Sequence, residues 1–125
     1  MTATTHALEL LKVAVAAADS KAGEDIIAID VSEPLPLTDV FLIVTGRSER
    51  NVVAIAGEIE DKLIESGTKP LRREGRAEGR WILLDFGDLV VHVFHEEERV
   101  YYGLERLWKD CPVVPVELPT RESMS

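Results

Sequence analysis

Residues 81–94, W-I-L-L-D-F-G-D-L-V-V-H-V-F, decide the fold that this sequence predicts. Asp85-Phe86-Gly87-Asp88 is a strong turn signal between two runs of strand-forming residues. With Gly87 and Asp88 as the loop, the cross-strand pairs are Phe86 with Leu89, Asp85 with Val90, Leu83 with His92 and Trp81 with Phe94. A four-residue loop would shift these pairs but leave the same residues on each face. The sequence therefore predicts a β-hairpin with two defined faces.

The two faces of this hairpin differ in composition, because side chains alternate along a strand. One face is wholly apolar and is predicted to be core: Ile82, Leu84, Phe86, Leu89, Val91 and Val93. The other face is mixed: Trp81, Leu83, Asp85, Val90, His92 and Phe94. It is either covered by a helix, with Asp85 and His92 paired inside the fold, or partly open to a partner. An unpaired buried carboxylate would be very costly, so Asp85 needs hydrogen-bond partners in either case.

The rest of the chain predicts helices and further strands around the hairpin. The predicted helices are Thr5–Ala18, capped by Thr4 or Thr5, a second from the N-cap Ser48 to near Gly67, and a third near Glu97–Trp108. The predicted strands besides the hairpin are Ile26–Val31, the buried interior run Asp39–Thr45, and a short edge strand at Pro70–Leu71. The basic stretch Arg72–Gly79 reads as a mobile loop. This order predicts an α/β (α+β) fold with a mixed sheet of about five strands flanked by helices.

The length and composition indicate one folded domain in a reducing compartment. A chain of 125 residues with 46% hydrophobic residues can bury a single core. We expect that domain to span residues 1–110, followed by a Pro-rich tail over residues 111–125 that is extended along the body or frayed. Cys111 is the only cysteine, and the sequence shows neither a signal peptide nor a membrane-spanning run. These features predict a soluble cytoplasmic protein.

The charge distribution argues against broad binding to nucleic acid. The formal net charge is −9, whereas binding to phosphate backbones depends on Lys and Arg. Residues 69–80 are the exception, with five basic residues against two acidic ones, which leaves −12 on the remainder. An acidic body can be steered towards a basic protein; the alternative is that the acidity serves only solubility.

No set of residues predicts catalysis or a metal site. Asp85, Asp88, His92 and His95 show none of the spacings of a metal motif, and no cofactor is expected. Gly46-Arg47-Ser48 followed by Glu58 and Glu60 superficially resembles a nucleotidyltransferase. Those two carboxylates fall within a predicted helix, about 200° apart, and cannot hold one ion. The sequence therefore predicts a binding protein and no enzyme.

The chain resembles the ribosomal silencing factors, also called the Iojap family, over nearly everything from the first helix to Trp108. The motifs that carry the resemblance are Thr38-Asp39 with V-F-L-I-V-T-G, Gly46-Arg47-Ser48, Glu74-Gly75, Trp81 to Asp85, Gly87-Asp88, Val91-His92-Val93, Arg99, Tyr101-Tyr102, Leu104-Glu105 and Leu107-Trp108. Phe41 stands where the family often has Tyr. The Pro-rich tail lies outside the shared pattern.

The resemblance implies a nucleotidyltransferase-like fold without catalysis, and a protein that binds large-subunit ribosomal protein fourteen. Occupying that face blocks joining of the small subunit and represses translation when nutrients are short. Homodimers are implied for the free protein. Alternative functions are a large-subunit assembly factor or, less in keeping with the residues, a nucleotide-handling enzyme.

On this basis we expect the partner-binding residues to include Trp81 and Tyr102 as anchors. For Trp108 the alternative is a role in the core alone. The full predicted set is Glu74, Trp81, Asp85, Asp88, His92, Arg99, Tyr101, Tyr102, Glu105 and Trp108. Peripheral contacts with ribosomal RNA phosphates are expected from Arg72, Arg73 and Arg76.

Overall fold

The computed structural model describes residues 3–35, 37–75, 79–98 and 110–116. Within these ranges the chain forms two complete helices and six strands. In chain order they are α1 (Thr5–Ser20), β1 (Glu24–Asp30), β2 (Val40–Gly46), α2 (Glu49–Glu65), β3 (Arg72–Glu74), β4 (Trp81–Asp85), β5 (Leu89–His95) and β6 (Val113–Val114).

The six strands form one mixed sheet in the order β3-β4-β5-β2-β1-β6. Only β2 and β5 run parallel, and every other neighbouring pair is antiparallel. All seven residues of β2 are buried, as the apolar run predicts. The register of the β4–β5 hairpin is also the predicted one, with Trp81 opposite Phe94 and Leu83 opposite His92. The mixed sheet flanked by helices is thereby confirmed.

Both α1 and α2 pack on the apolar face of the hairpin. Each helix begins at a side-chain cap: the Thr4 hydroxyl accepts from the backbone N–H of Ala7 at 3.2 Å, and the Ser48 hydroxyl from that of Asn51 at 3.0 Å. The buried side of α2 is the predicted one, Val52, Ile55, Ala56, Ile59 and Leu63. This packing forms the larger of two hydrophobic clusters.

Two predicted segments differ from the structure, and a third is described only in part. The strand expected at Pro70–Leu71 lies at Arg72–Glu74, so the first part of the predicted loop is paired with β4. The cause is tertiary: the backbone N–H of Leu71 bonds to the carbonyl of Asp85, and the pairing continues into charged residues of low strand propensity. A sixth strand, β6, lies in the segment predicted as a tail and pairs with β1, so this part of the tail is extended. Of the third predicted helix, residues 96–98 are helical and residues 99–108 lie outside the described ranges.

The second face of the sheet carries a smaller cluster that is deeply buried at its centre. Phe94 and Ile43 are fully buried there, and Phe41 and Val90 nearly so. Residues of β4 on the same face, by contrast, are only partly buried.

Among the described residues, no helix is long and apolar enough to cross a membrane.

Candidate functional site

The second face of the sheet opens towards solvent along β3 and β4. We call this surface the β3–β4 flank: Arg72, Glu74, Trp81, Leu83 and Asp85. The register places these five side chains on one face, since Arg72 lies opposite Asp85 and Glu74 opposite Leu83. The two β3 residues are exposed and the three β4 residues are partly buried. The flank therefore presents an aromatic and an aliphatic side chain beside three charges.

Trp81 is fixed on two sides by residues of β5. Its indole ring stacks on Phe94, with ring centroids 5.0 Å apart and planes inclined by 27°. Its indole N–H donates a hydrogen bond of 3.3 Å to Nδ1 of His92. A partly exposed tryptophan held by both stacking and a hydrogen bond is a rigid feature of the surface.

His92 lies beneath this tryptophan and is 5% exposed. Burial lowers its pKa from 6.5 to about 4, so the ring is neutral at physiological pH. Because Nδ1 accepts from Trp81, the single ring proton resides on Nε2. That N–H is buried and has no hydrogen-bond partner among the described residues, an arrangement that typically costs about 1–3 kcal/mol. Phe41 contacts the ring in a T-shaped geometry at 5.0 Å.

Asp85 and His92 do not pair with each other, so that interpretation of the mixed face is wrong. One carboxylate oxygen of Asp85 accepts from the backbone N–H of Gly87 at 2.8 Å, which closes the hairpin turn. The other oxygen lies 3.8 Å from the Arg72 guanidinium. Asp85 is therefore satisfied by the turn and by β3, and it stays partly exposed beside Arg72.

Comparison with known proteins assigns the chain to a family. The family pattern described as "Ribosomal silencing factor during starvation" matches residues 4–125. The chain belongs to the ribosomal silencing factor family. It is 48% identical over 108 residues to the ribosomal silencing factor RsfS of Bacillus subtilis, a match that covers 86% of this chain and 92% of the relative. The resemblance that the motifs indicate is thus confirmed, but the match also covers the Pro-rich tail, which was expected to lie outside the shared pattern.

Two solved structures share the fold. A crystal structure of a protein from Chromobacterium violaceum matches with a TM-score of 0.80 and 39% identity, covering 82% of this chain and 85% of that one. A crystal structure of a protein from Bacillus halodurans matches with a TM-score of 0.78 and 45% identity, covering 86% of this chain and 98% of that one. At these identities the ribosomal silencing factor fold extends over most of the chain.

The residues predicted to contact a partner are distributed unevenly over this ribosomal silencing factor. Glu74, Trp81 and Asp85 lie together on the β3–β4 flank, and His92 lies buried beneath it. Asp88 lies apart, in the hairpin turn, where its half-exposed carboxylate is 4.0 Å from Nε2 of His6. Predicted residues outside the described part of the chain are Arg99, Tyr101, Tyr102, Glu105 and Trp108.

The arginines expected to reach RNA already have acidic neighbours. Nε of Arg72 lies 3.4 Å from Glu74, and Nε of Arg73 lies 2.8 Å from the buried Glu60 of α2. Both side chains remain more than half exposed. Arg76 lies outside the described residues. Contact of Arg72 or Arg73 with a phosphate would therefore compete with an internal ion pair.

An ion-pair cluster that was not predicted from the sequence surrounds Arg80, immediately before Trp81. Its guanidinium lies 2.7 Å from Glu98, 3.1 Å from Glu97 and 3.6 Å from Glu49. Hydrogen bonds to Glu98 and then to Glu97 raise the pKa of Arg80 above its ordinary value. We name this group the Arg80 cluster. The run Glu96-Glu97-Glu98 after β5 was the available signal, because the hairpin register places it beside the start of β4.

The carboxylates weighed for catalysis lie where the helix prediction puts them. Glu58 and Glu60 are both within α2, and Glu60 is 5% exposed and paired with Arg73. Residues two apart in a helix point about 200° apart, so they cannot share one metal ion. Across the described ranges, no group of three or more His, Cys, Asp and Glu side chains could hold a metal ion.

Proposed function

We propose that this protein silences ribosomes by binding large-subunit ribosomal protein fourteen at the face where the small subunit docks. Bound there, it blocks subunit joining and represses translation when nutrients are limiting. It acts in the cytoplasm as a stoichiometric blocker, without catalysis. Membership of the ribosomal silencing factor family supports this role.

One observation carries the assignment of the binding face: Trp81 is partly exposed, yet held by Phe94 and His92. Tryptophan is enriched among residues that dominate binding energy, and a rigid ring loses little conformational freedom on association. Leu83 beside it adds apolar area, and Asp85 and Glu74 together with Arg72 leave one net negative charge at the rim. The β3–β4 flank therefore supports docking of a protein that presents an apolar pocket bordered by basic groups.

The charge of the chain supports a basic partner. With a net charge of −9, the protein would be attracted to a cationic ribosomal protein at low ionic strength, and less so as salt screens the interaction. Contacts of Arg72, Arg73 and Arg76 with ribosomal RNA are peripheral in this proposal. The free protein forms a homodimer in the same proposal.

Co-sedimentation with purified large ribosomal subunits tests the binding face. Trp81→Ala removes the central ring and is expected to weaken co-sedimentation by at least about tenfold, the loss typical of an interface anchor. Leu37→Ala is the matched control, because Leu37 is 85% exposed and lies outside the flank. Tyr102→Ala tests the second predicted anchor in the same assay.

Unchanged co-sedimentation of both Trp81→Ala and Tyr102→Ala, with the fold intact by circular dichroism, would show that the assigned face is wrong. A role in large-subunit assembly would require the same contact. Subunit profiles of growing and starved cells, with and without the protein, separate the two functions. If the protein silences ribosomes, its presence lowers the amount of joined ribosomes in starved cells only. If it is an assembly factor, its absence lowers the amount of mature large subunits in growing cells.

A further inference from the structure

We propose that His92 is a positioning residue, which fixes the orientation of Trp81 on the binding face through its Nδ1 atom. This inference rests on the proposed function of the β3–β4 flank and adds a residue that acts through Trp81. His92 is 5% exposed and offers almost no surface to a partner itself.

The first support is that residue 92 is a polar side chain in an apolar environment. Its Nε2 proton is buried without a hydrogen-bond partner among the described residues, and its neighbours are aromatic rings. An apolar side chain of similar size would avoid that unsatisfied donor. What an imidazole provides and a phenyl ring does not is the acceptor Nδ1, which bonds the Trp81 indole N–H at 3.3 Å.

The second support is the geometry of the ring stack. The rings of Trp81, His92 and Phe94 form a triangle: Phe94 stacks on Trp81 at 5.0 Å and lies nearly parallel to His92, at 8° and 6.1 Å, and the Trp81 and His92 centroids are also 6.1 Å apart. Stacking constrains the plane of the indole, but either side of the ring can lie on Phe94. Rotation about χ2 of an aromatic residue is broad and roughly two-fold. The hydrogen bond to His92 favours the orientation in which the indole N–H faces Nδ1.

The strand register explains why residue 92 can reach the indole. Trp81 is directly opposite Phe94, and His92 is its diagonal neighbour on β5, within reach of a long aromatic side chain. Trp81 remains partly exposed at this position. Fixing one orientation of its ring presents the exposed part to a partner in one way and reduces the ordering required on binding.

A pair of substitutions separates the acceptor from the packing. His92→Phe keeps a ring but has no acceptor, whereas His92→Asn loses ring volume but carries Oδ1 at the position of Nδ1. We expect the Trp81 indole resonance in ¹H–¹⁵N spectra of the free protein to shift upfield in His92→Phe and to stay closer to its original position in His92→Asn. We expect His92→Phe to co-sediment with purified large subunits roughly five- to tenfold more weakly, and His92→Asn to bind more tightly than His92→Phe.

The two readouts make the inference and the proposed function fail in different ways. An unchanged indole resonance in His92→Phe would overturn the positioning role, whatever the binding result. Binding that follows thermal stability, with His92→Phe better than His92→Asn, would likewise show a packing role alone. If Trp81→Ala binds large subunits like the unsubstituted protein, the proposed face fails, while the indole resonance still tests whether His92 orients the ring.

Discussion

We expect acidification from pH 6.5 to about pH 4 to destabilise this protein, because the imidazole of His92 is buried. The pKa of His92 is lowered from 6.5 to about 4 because burial disfavours the charged ring. As pH falls below 6.5, the unfolded chain binds a proton at His92 while the folded chain does not. The contribution of His92 to stability is therefore fully present above pH 6.5 and is lost progressively down to about pH 4.

The size of this effect follows from the two pKa values. Between pH 7.5 and pH 5, the unfolded state gains most of a proton at His92 and the folded state gains almost none. The free energy of unfolding should fall by about 2 kcal/mol from this group alone. That is a large fraction of the stability of a typical single domain.

Urea unfolding followed by far-ultraviolet circular dichroism measures this quantity at each pH. His92→Phe removes the titrating group, so its stability should fall by about 2 kcal/mol less than that of the original protein between pH 7.5 and pH 5. Asp30 does not enter this window: burial raises its pKa, but hydrogen bonds from Ser32 and Ala3 outweigh burial and leave the pKa below its ordinary value. Its contribution is lost only at lower pH.

The control for the His92 titration is Leu37→Ala, because Leu37 is 85% exposed and carries no titrating group. Its stability should follow the same pH dependence as the original protein. Parallel curves for His92→Phe and the original protein would refute the reasoning, since they would mean that His92 titrates alike in the folded and unfolded states.

Four further predictions concern stability and ligand binding. Leu42→Ala, at a fully buried position of β2, should lower the free energy of unfolding by about 3–5 kcal/mol in urea denaturation. Ser48→Ala removes the cap that accepts from the N–H of Asn51 and should cost about 1 kcal/mol in the same assay. Arg80→Met breaks the Arg80 cluster and should lower the melting temperature in low salt, with a smaller difference in 1 M NaCl; a difference independent of salt would contradict the electrostatic role. Magnesium with any nucleoside triphosphate should leave the melting temperature unchanged, because the proposed function includes no nucleotide site. A clear rise in the melting temperature would instead indicate a nucleotide-binding protein.

The parts of the fold that sequence predicts are those where periodicity and turn chemistry agree. The hairpin register follows from Asp85-Phe86-Gly87-Asp88 and strict alternation, and the structure reproduces it pair by pair. The apolar run of β2 and the Ser48 cap of α2 are equally local signals. Such signals need no knowledge of the rest of the chain.

The misplaced parts depend on contacts that are distant in sequence. Arg72–Glu74 has the composition of a loop and becomes a strand only because β4 offers its free edge. Val113–Val114 joins the sheet through β1, more than 80 residues earlier in the chain. The Arg80 cluster likewise requires the end of β5 to meet the start of β4.

The sequence predicts which side chains share the face of the candidate site, but it does not predict the hydrogen bonds between them. Alternation places Trp81, Asp85 and His92 on one face, but it does not reveal which side chains bond to one another. The turn binds Asp85 through the N–H of Gly87, a short-range pattern that an Asp two residues before a Gly could have indicated. The bond between Trp81 and His92 depends on ring orientation, which sequence does not provide.

Joining of purified ribosomal subunits, followed by light scattering, tests the central claim most directly. Preincubating large subunits with one equivalent of this protein should prevent the rise in scattering when small subunits are added. Trp81→Ala should restore the rise, and Leu37→Ala should behave like the original protein. Subunit joining that proceeds normally with saturating protein would contradict the account.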